Sequence, residues 1–251
     1  MSTVVKFDVT VTPLNKVRKI HLYLPTGYEL SQDHYPVLYM YDGHNLYFDA
    51  DATYGKSWGL KDYLDHCPQP FICVGIECGH EGDERLSEYC PFDLVKSPWG
   101  ELKGNGTPFM KWLVNELKPM IDERFRTIPD RDHTFIGGSS MGGLMALYSV
   151  IHYNNVFSKA ACVSSAISYC YYQLEREINK AYLNPNTRVY MSWGSQEMGG
   201  HLAKGSWVNL HISHMLTERG VNTYPNLVVD GRHCEADWEK EVPVFMEYLW
   251  K

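Results

Sequence analysis

Residues His133 to Tyr148 read HTFIGGSSMGGLMALY. Within them Gly138, Ser139, Ser140, Met141 and Gly142 fit the pattern G-x-S-x-G in one register only. A short apolar run precedes the pattern. Behind it Leu144, Leu147, Tyr148 and Ile151 recur at i, i+3, i+4 and i+7, the spacing of a helix face. A serine on a tight strand-to-helix turn carries its hydroxyl above the sheet, and small residues flank it because side chains do not fit there. The chemistry available to Ser140 is nucleophilic attack. The backbone N–H of Met141, at the start of the helix, then faces the oxyanion that such an attack generates.

A serine hydroxyl is a weak nucleophile at neutral pH and needs a base. Of the 11 histidines, His233 is the candidate: it lies in DGRHCEADW, between an apolar run ending near Asp230 and the last helical pattern. His211 and His214 sit at i, i+3 on a helix face, and His201 lies in a loop. The acid that orients the base is expected after the apolar run 188–193, in WGSQEMGG, where Glu197 is the sole carboxylate. Asp230 and Asp237 are the alternatives, but each shares a loop or helix with His233, which makes a contact to the second ring nitrogen hard to build. A second oxyanion donor is expected from YDGHNLYFD, with Gly43 turning the chain and the N–H of His44 pointing inward. The competing reading is a plain turn in which Asp42 bonds nearby amides.

These residues need a scaffold that brings loops together. Segments 3–12 and 17–25 alternate polar and apolar residues and read as an antiparallel pair of strands. The runs 37–41, 71–76, 134–138, 159–163, 188–193 and 227–229 are short and mostly apolar, as in strands buried on both faces. Helical patterns separate them: one opening at Thr107 and Pro108, one at 144–151, one from Ser206 to Gly220, and one through Trp238, Val242, Phe245 and Leu249. Pro119 is expected to kink or end the first of these. Strands alternating with helices predict an α/β fold with a mostly parallel central sheet covered by helices on both faces. No linker or repeat divides the chain, so residues 1–251 are expected to form one domain. Segment 77–106 has no clear period and is expected to be a functional loop.

Composition excludes several roles. The chain has 251 residues, 44% of them hydrophobic and 21% charged, and a net charge of −7 from 23 basic and 30 acidic residues. An acidic protein of this kind does not offer the basic face that nucleic acids or anionic membranes need. No apolar run is long enough to span a bilayer. Seven cysteines, an odd number without C-x-x-C spacing, suggest reduced thiols rather than a zinc site. The opening segment has neither the basic nor the apolar stretch of a secretion signal, so a cytoplasmic location is expected. Nothing in these patterns calls for a metal or an organic cofactor, and oligomeric state is not legible.

Taken together, PVLYMYDGHNLYFD, VGIECGHEGDERLSEYCPF, FIGGSSMGGLMALY, WGSQE and DGRHCEADW resemble the putative-esterase family of α/β hydrolases. That family includes feruloyl and acetylxylan esterases, enterochelin-type siderophore esterases and S-formylglutathione hydrolases. The resemblance runs from about Val17 onward and implies an α/β-hydrolase fold and a serine carboxylic ester hydrolase. It maps the triad to Ser140, Glu197 and His233 and an oxyanion donor to His44, in agreement with the reading of the residues themselves. It also places Arg85, Glu88 and Tyr89 at the cleft edge, as bracing or substrate-contacting residues. Trp58 and Trp99 fall in candidate rim loops, where indole rings suit sugars or aryl groups. The expected substrate is a small-molecule or oligosaccharide ester, such as a feruloyl or acetyl ester of a xylan fragment. The alternatives are a siderophore trilactone, an S-formylglutathione-type thioester, and a catalytically silent binding protein of the same fold.

Overall fold

The computed structural model describes every residue of the chain except Trp99, Met198, Gly200 and Lys251. Its strands are β1 (Thr3–Val11), β2 (Lys16–Leu24), β3 (Val37–Tyr41), β4 (Ile72–Ile76), β5 (Leu94–Ser97), β6 (Gly100–Leu102), β7 (Thr134–Ser139), β8 (Lys159–Val163), β9 (Arg188–Gly194) and β10 (Asn222–Val228). Its helices are α1 (Leu60–His66), α2 (Glu84–Glu88), α3 (Gly106–Trp112), α4 (Lys118–Arg124), α5 (Met141–His152), α6 (Tyr171–Lys180), α7 (Leu202–Glu218) and α8 (Glu235–Trp250). Eight strands form one sheet in the order β1-β2-β4-β3-β7-β8-β9-β10, while β5 and β6 pair separately. β1 with β2 and β2 with β4 are antiparallel, and every pairing from β4 to β10 is parallel.

The period of two in each central strand feeds two cores. Val37, Tyr39 and Tyr41 of β3 face one apolar cluster, with residues of α3, α5, α6 and α7. Leu38 and Met40 face the other, with Leu60 and Leu64 of α1 and Trp238, Val242 and Phe245 of α8. Ile136 against Phe135, and Val189 against Tyr190, divide in the same way. A strand buried on both faces has no polar side to alternate with, which is why these runs are continuously apolar.

Chain order reverses between β4-β3 and β3-β7, so the loops after β3 and β7 leave the sheet side by side at its carboxyl edge. Such a switch point is where open α/β sheets form a crevice for ligands. The loop after β3 carries His44, and the turn after β7 carries Ser140.

Several expectations are corrected. The last strand is seven residues long rather than three, because Pro225 is accommodated in β10 at the edge of the sheet, where one flank needs no partner. Pro119 does not end its helix: a π-helical stretch, Leu113–Leu117, joins α3 to α4 and shifts the hydrogen-bond register so that the missing donor is absorbed. Helix α7 starts at Leu202, ahead of Ser206. Segment 77–106 is not a bare loop, since it contains α2 and the β5–β6 pair. It is tied down by an Arg18–Glu88 ion pair and by the Gly79 N–H, which donates to Glu88 Oε2 at 2.9 Å.

Candidate active site

Ser140 joins β7 to α5 with φ 56° and ψ −120°, a conformation that a side chain occupies only under strain. The turn is tight enough that a Cβ on Gly138 would come within 2.9 Å of the Gly142 carbonyl carbon. Met141 is buried at the first position of α5, where its N–H has no acceptor within the helix.

The loop after β3 forms a 3₁₀ turn, Gly43–Asn45, closed by the Asn45 N–H donating to the Asp42 carbonyl at 2.8 Å. The N–H of His44, in the middle of that turn, takes no part in its closure. The turn residue in the left-handed region is Asp42, with φ 58°, and not Gly43 as expected. Gly43 serves a different need: a Cβ there would lie 2.5 Å from the Gly75 carbonyl carbon of β4.

The Asp42 carboxylate is engaged by the side chain of Arg85 from α2. It accepts from Arg85 Nε at 2.7 Å and Nη2 at 2.8 Å, and the Asp42 backbone N–H donates to the Tyr89 hydroxyl at 3.2 Å. Burial pushes the Asp42 carboxyl up, but the Arg85 guanidinium outweighs it and holds the group below its ordinary range. Such a depressed carboxylate stabilises the fold above the unfolded value of about pH 4, and the stabilisation is lost on acidification. Arg85→Met leaves that charge buried without its partner. Urea unfolding at pH 7 is expected to record a loss of about 3 kcal/mol, shrinking towards zero in Arg85→Met/Asp42→Asn, where no charge remains. An undiminished loss in the double variant would mean that Arg85 acts by packing alone.

His233 lies on the loop between β10 and α8, and its Nδ1 is 3.2 Å from Glu197 Oε2. Glu197 follows β9 and its side chain is 5% exposed. The other carboxylate oxygen, Oε1, accepts from the Gly194 N–H at 2.8 Å and from Ser164 Oγ at 2.5 Å. Ser164 in turn accepts from Trp238 Nε1 at 2.8 Å. One oxygen of the carboxylate is therefore held by two donors while the other faces the imidazole. Asp237, the alternative acid, is engaged by Arg232 and Lys240, and Asp230 sits exposed in a turn with φ 59°. Ser140 and His233 open on one cavity of about 570 Å³, which His44, Arg85, Glu235 and Trp238 also line.

The sequence did not single out Ser164 or the indole N–H of Trp238 for this arrangement. The one signal for Ser164 was its position just past a buried strand. The rim residues fare worse. Trp58 is 2% exposed and packs on Trp238 and Phe245 in the core, so it does not face a substrate. Tyr89 is likewise fully buried, with its hydroxyl spanning Asp42 and the Ile76 carbonyl. Arg85 reaches the cavity but is committed to Asp42, and Glu88 is buried against Arg18. Trp99 lies outside the described residues.

A mostly parallel sheet with a serine on a strand-to-helix turn above its carboxyl edge defines an α/β hydrolase. The chain belongs to the Putative esterase family, whose model matches residues 12–246, and it is a carboxylic ester hydrolase. It is 27% identical to the Bacillus subtilis protein YbbA over 183 residues, covering 72% of this chain and 69% of YbbA. It is 30% identical over 135 residues to an endo-1,4-beta-xylanase/feruloyl esterase of Xylanibacter ruminicola, covering 51% of this chain but 17% of that much longer protein. Among solved structures, an IroE-like serine hydrolase from Shewanella oneidensis superposes with a TM-score of 0.78 at 20% identity, covering 98% of this chain and 79% of the other. A ferulic acid esterase gives 0.73 at 18% identity, with 99% and 98% covered. Enterochelin esterase from Shigella flexneri gives 0.74 at 17% identity, with 99% and 58% covered. Among the described residues no helix is long and apolar enough to cross a membrane.

Proposed function

We propose that the chain hydrolyses carboxylic esters through Ser140, His233 and Glu197, with the N–H groups of His44 and Met141 as the oxyanion hole. The observation that carries this reading is the contact of Glu197 with Nδ1 of His233, which leaves Nε2 for a cavity shared with Ser140. In the first half-reaction Ser140 Oγ bonds to the ester carbonyl carbon and its proton passes to His233 Nε2. The tetrahedral oxyanion is held by the two amides. On collapse the carbon–oxygen bond breaks, and the leaving alkoxide takes the proton from His233. Water then attacks the acyl-serine by the same route and releases the acid. Glu197 keeps the imidazole in the required tautomer and stabilises its cation. A cytoplasmic location belongs to the same reading and rests on the odd, unpaired set of cysteines.

For the substrate, the charge of the cavity is the guide. Arg85 is the one Lys or Arg among its described lining residues, and both of its contacts to Asp42 are already made. A cleft without an uncommitted cation favours a neutral ester over a multiply anionic ferric-catecholate trilactone. The similarity to a feruloyl esterase-containing relative is consistent with a feruloyl or acetyl ester of a xylan-derived oligosaccharide. The burial of Trp58 removes part of the stacking surface expected for sugars, so neutrality rather than aromatic lining supports this choice. Feruloyl and acetyl xylo-oligosaccharides, a nitrophenyl ester and a ferric-catecholate trilactone assayed side by side should give the higher kcat/KM for the sugar esters. A trilactone preferred over the sugar esters would overturn the carbohydrate assignment and leave the hydrolase intact.

A further inference from the structure

His44, Cys78 and His80 each offer one donor atom, and the three atoms lie within 4.8 Å of one another. They arrive from two neighbouring loops at the carboxyl edge of the sheet: His44 from the turn after β3, Cys78 and His80 from the stretch after β4. We propose that these three side chains form a binding site for a thiophilic divalent cation, zinc above all, inside the same cavity that holds Ser140.

In each imidazole Nε2 is already engaged, which leaves Nδ1 for a ligand bond. His44 Nε2 contacts Thr53 Oγ1 at 2.9 Å, while its Nδ1 is buried and has no hydrogen-bond partner, in a residue only 6% exposed. A buried ring nitrogen without a partner forfeits a hydrogen bond to water, and a metal at that position would recover it. His80 Nε2 contacts Glu77 Oε1 at 2.7 Å, and Glu77 Oε2 is fixed by His21 at 2.8 Å. A carboxylate behind a histidine is the arrangement that orients metal-bound imidazoles elsewhere. The two rings stand edge to face, with centroids 4.8 Å apart.

Donor type and spacing agree with zinc. One thiolate and two imidazoles are a borderline-soft set, and a tetrahedral ion with bonds of about 2.0–2.3 Å spaces its ligands by roughly 3.3–3.8 Å. Closing from 4.8 Å takes about 1 Å of movement, within reach of the half-exposed His80 side chain. All three side chains line the cavity that Ser140 also lines, which leaves space there for a fourth ligand. On binding, the Cys78 thiol gives up its proton to buffer and forms a sulfur–metal bond in its place. No C-x-x-C or H-x-x-x-H spacing announces such a site, because its ligands converge from separate loops.

Occupancy would also act on the chemistry proposed above, a consequence that rests on that reading. A cation held by His44 pins the turn whose N–H faces the oxyanion and fills space beside Ser140. Zinc is therefore expected to inhibit ester turnover.

The test uses the metal alone on the whole chain. Calorimetry with zinc is expected to give one site, and cobalt(II) a thiolate-to-metal charge-transfer absorption. Cys78→Ser should remove that absorption, and both it and His80→Ala should weaken zinc binding at least tenfold, with inhibition read against each variant's own metal-free rate. The proposal is overturned by unchanged affinity in both variants, by a cobalt spectrum lacking the charge-transfer feature, or by binding that is lost in His233→Ala instead. If the absorption appears in a protein without esterase activity, the metal site stands and the hydrolytic reading falls. If turnover is present and zinc does not bind, the reverse holds.

Discussion

Ser140→Ala is expected to lower ester turnover by about 10⁶-fold, the scale on which removal of a serine nucleophile acts in enzymes of this chemistry. Stability should hardly move. Alanine keeps the Cβ that is strained at φ 56° and ψ −120°, and it loses only a hydroxyl at the cavity wall. Ser140→Gly separates strain from chemistry more sharply. Glycine adopts that conformation without penalty, so relief of roughly 1–3 kcal/mol outweighs its extra chain entropy of about 0.5–1 kcal/mol. The glycine variant is thus expected to be equally inactive and about 1 kcal/mol more stable in chemical unfolding. A glycine variant less stable than the parent would mean that the turn is held by something other than the demands of the nucleophile.

The second large effect is at Glu197. Glu197→Gln presents the wrong group to Nδ1 of His233, and loss of the orienting carboxylate in a triad costs roughly 10⁴ in kcat with little change in binding. The same change at Asp230, exposed in its turn, should leave the rate near that of the parent. Asp237→Asn should cost some stability through its lost contacts to Arg232 and Lys240, but not the reaction. Steady-state kinetics on the three variants decides the matter: a larger loss of kcat at Asp230 or Asp237 than at Glu197 would move the acid.

What could be read from the chain and what could not divide along a physical line. Central strands were legible because burial on both faces leaves an uninterrupted apolar run, as in 37–41 and 159–163. The turn at Ser140 was legible because its glycines answer a steric demand confined to five residues. Helices α1 and α6 are short and bury two side chains apiece, and the sequence reading did not single them out, although Tyr171, Leu174 and Ile178 of α6 recur at i, i+3 and i+7. The rim was the least legible part. Whether Trp58 faces solvent or packs between Trp238 and Phe245 depends on how α8 lies across the sheet, and that is not encoded near residue 58. Local pattern likewise says nothing of the chain of hydrogen bonds from Trp238 through Ser164 to Glu197, whose members lie 74 and 33 residues apart. Pattern reports what neighbours in sequence require of one another, whereas the site is made by contacts across the switch point.

The central claim is that Ser140 is the nucleophile, and a fluorophosphonate probe tests it most directly. Such a reagent bonds covalently to an activated serine, and peptide mapping by mass spectrometry locates the adduct. One adduct per chain on Ser140, absent in Ser140→Ala and strongly slowed in His233→Ala, is the predicted result. An adduct on the adjacent Ser139, or an actively hydrolysing protein that takes up no probe, would contradict the account.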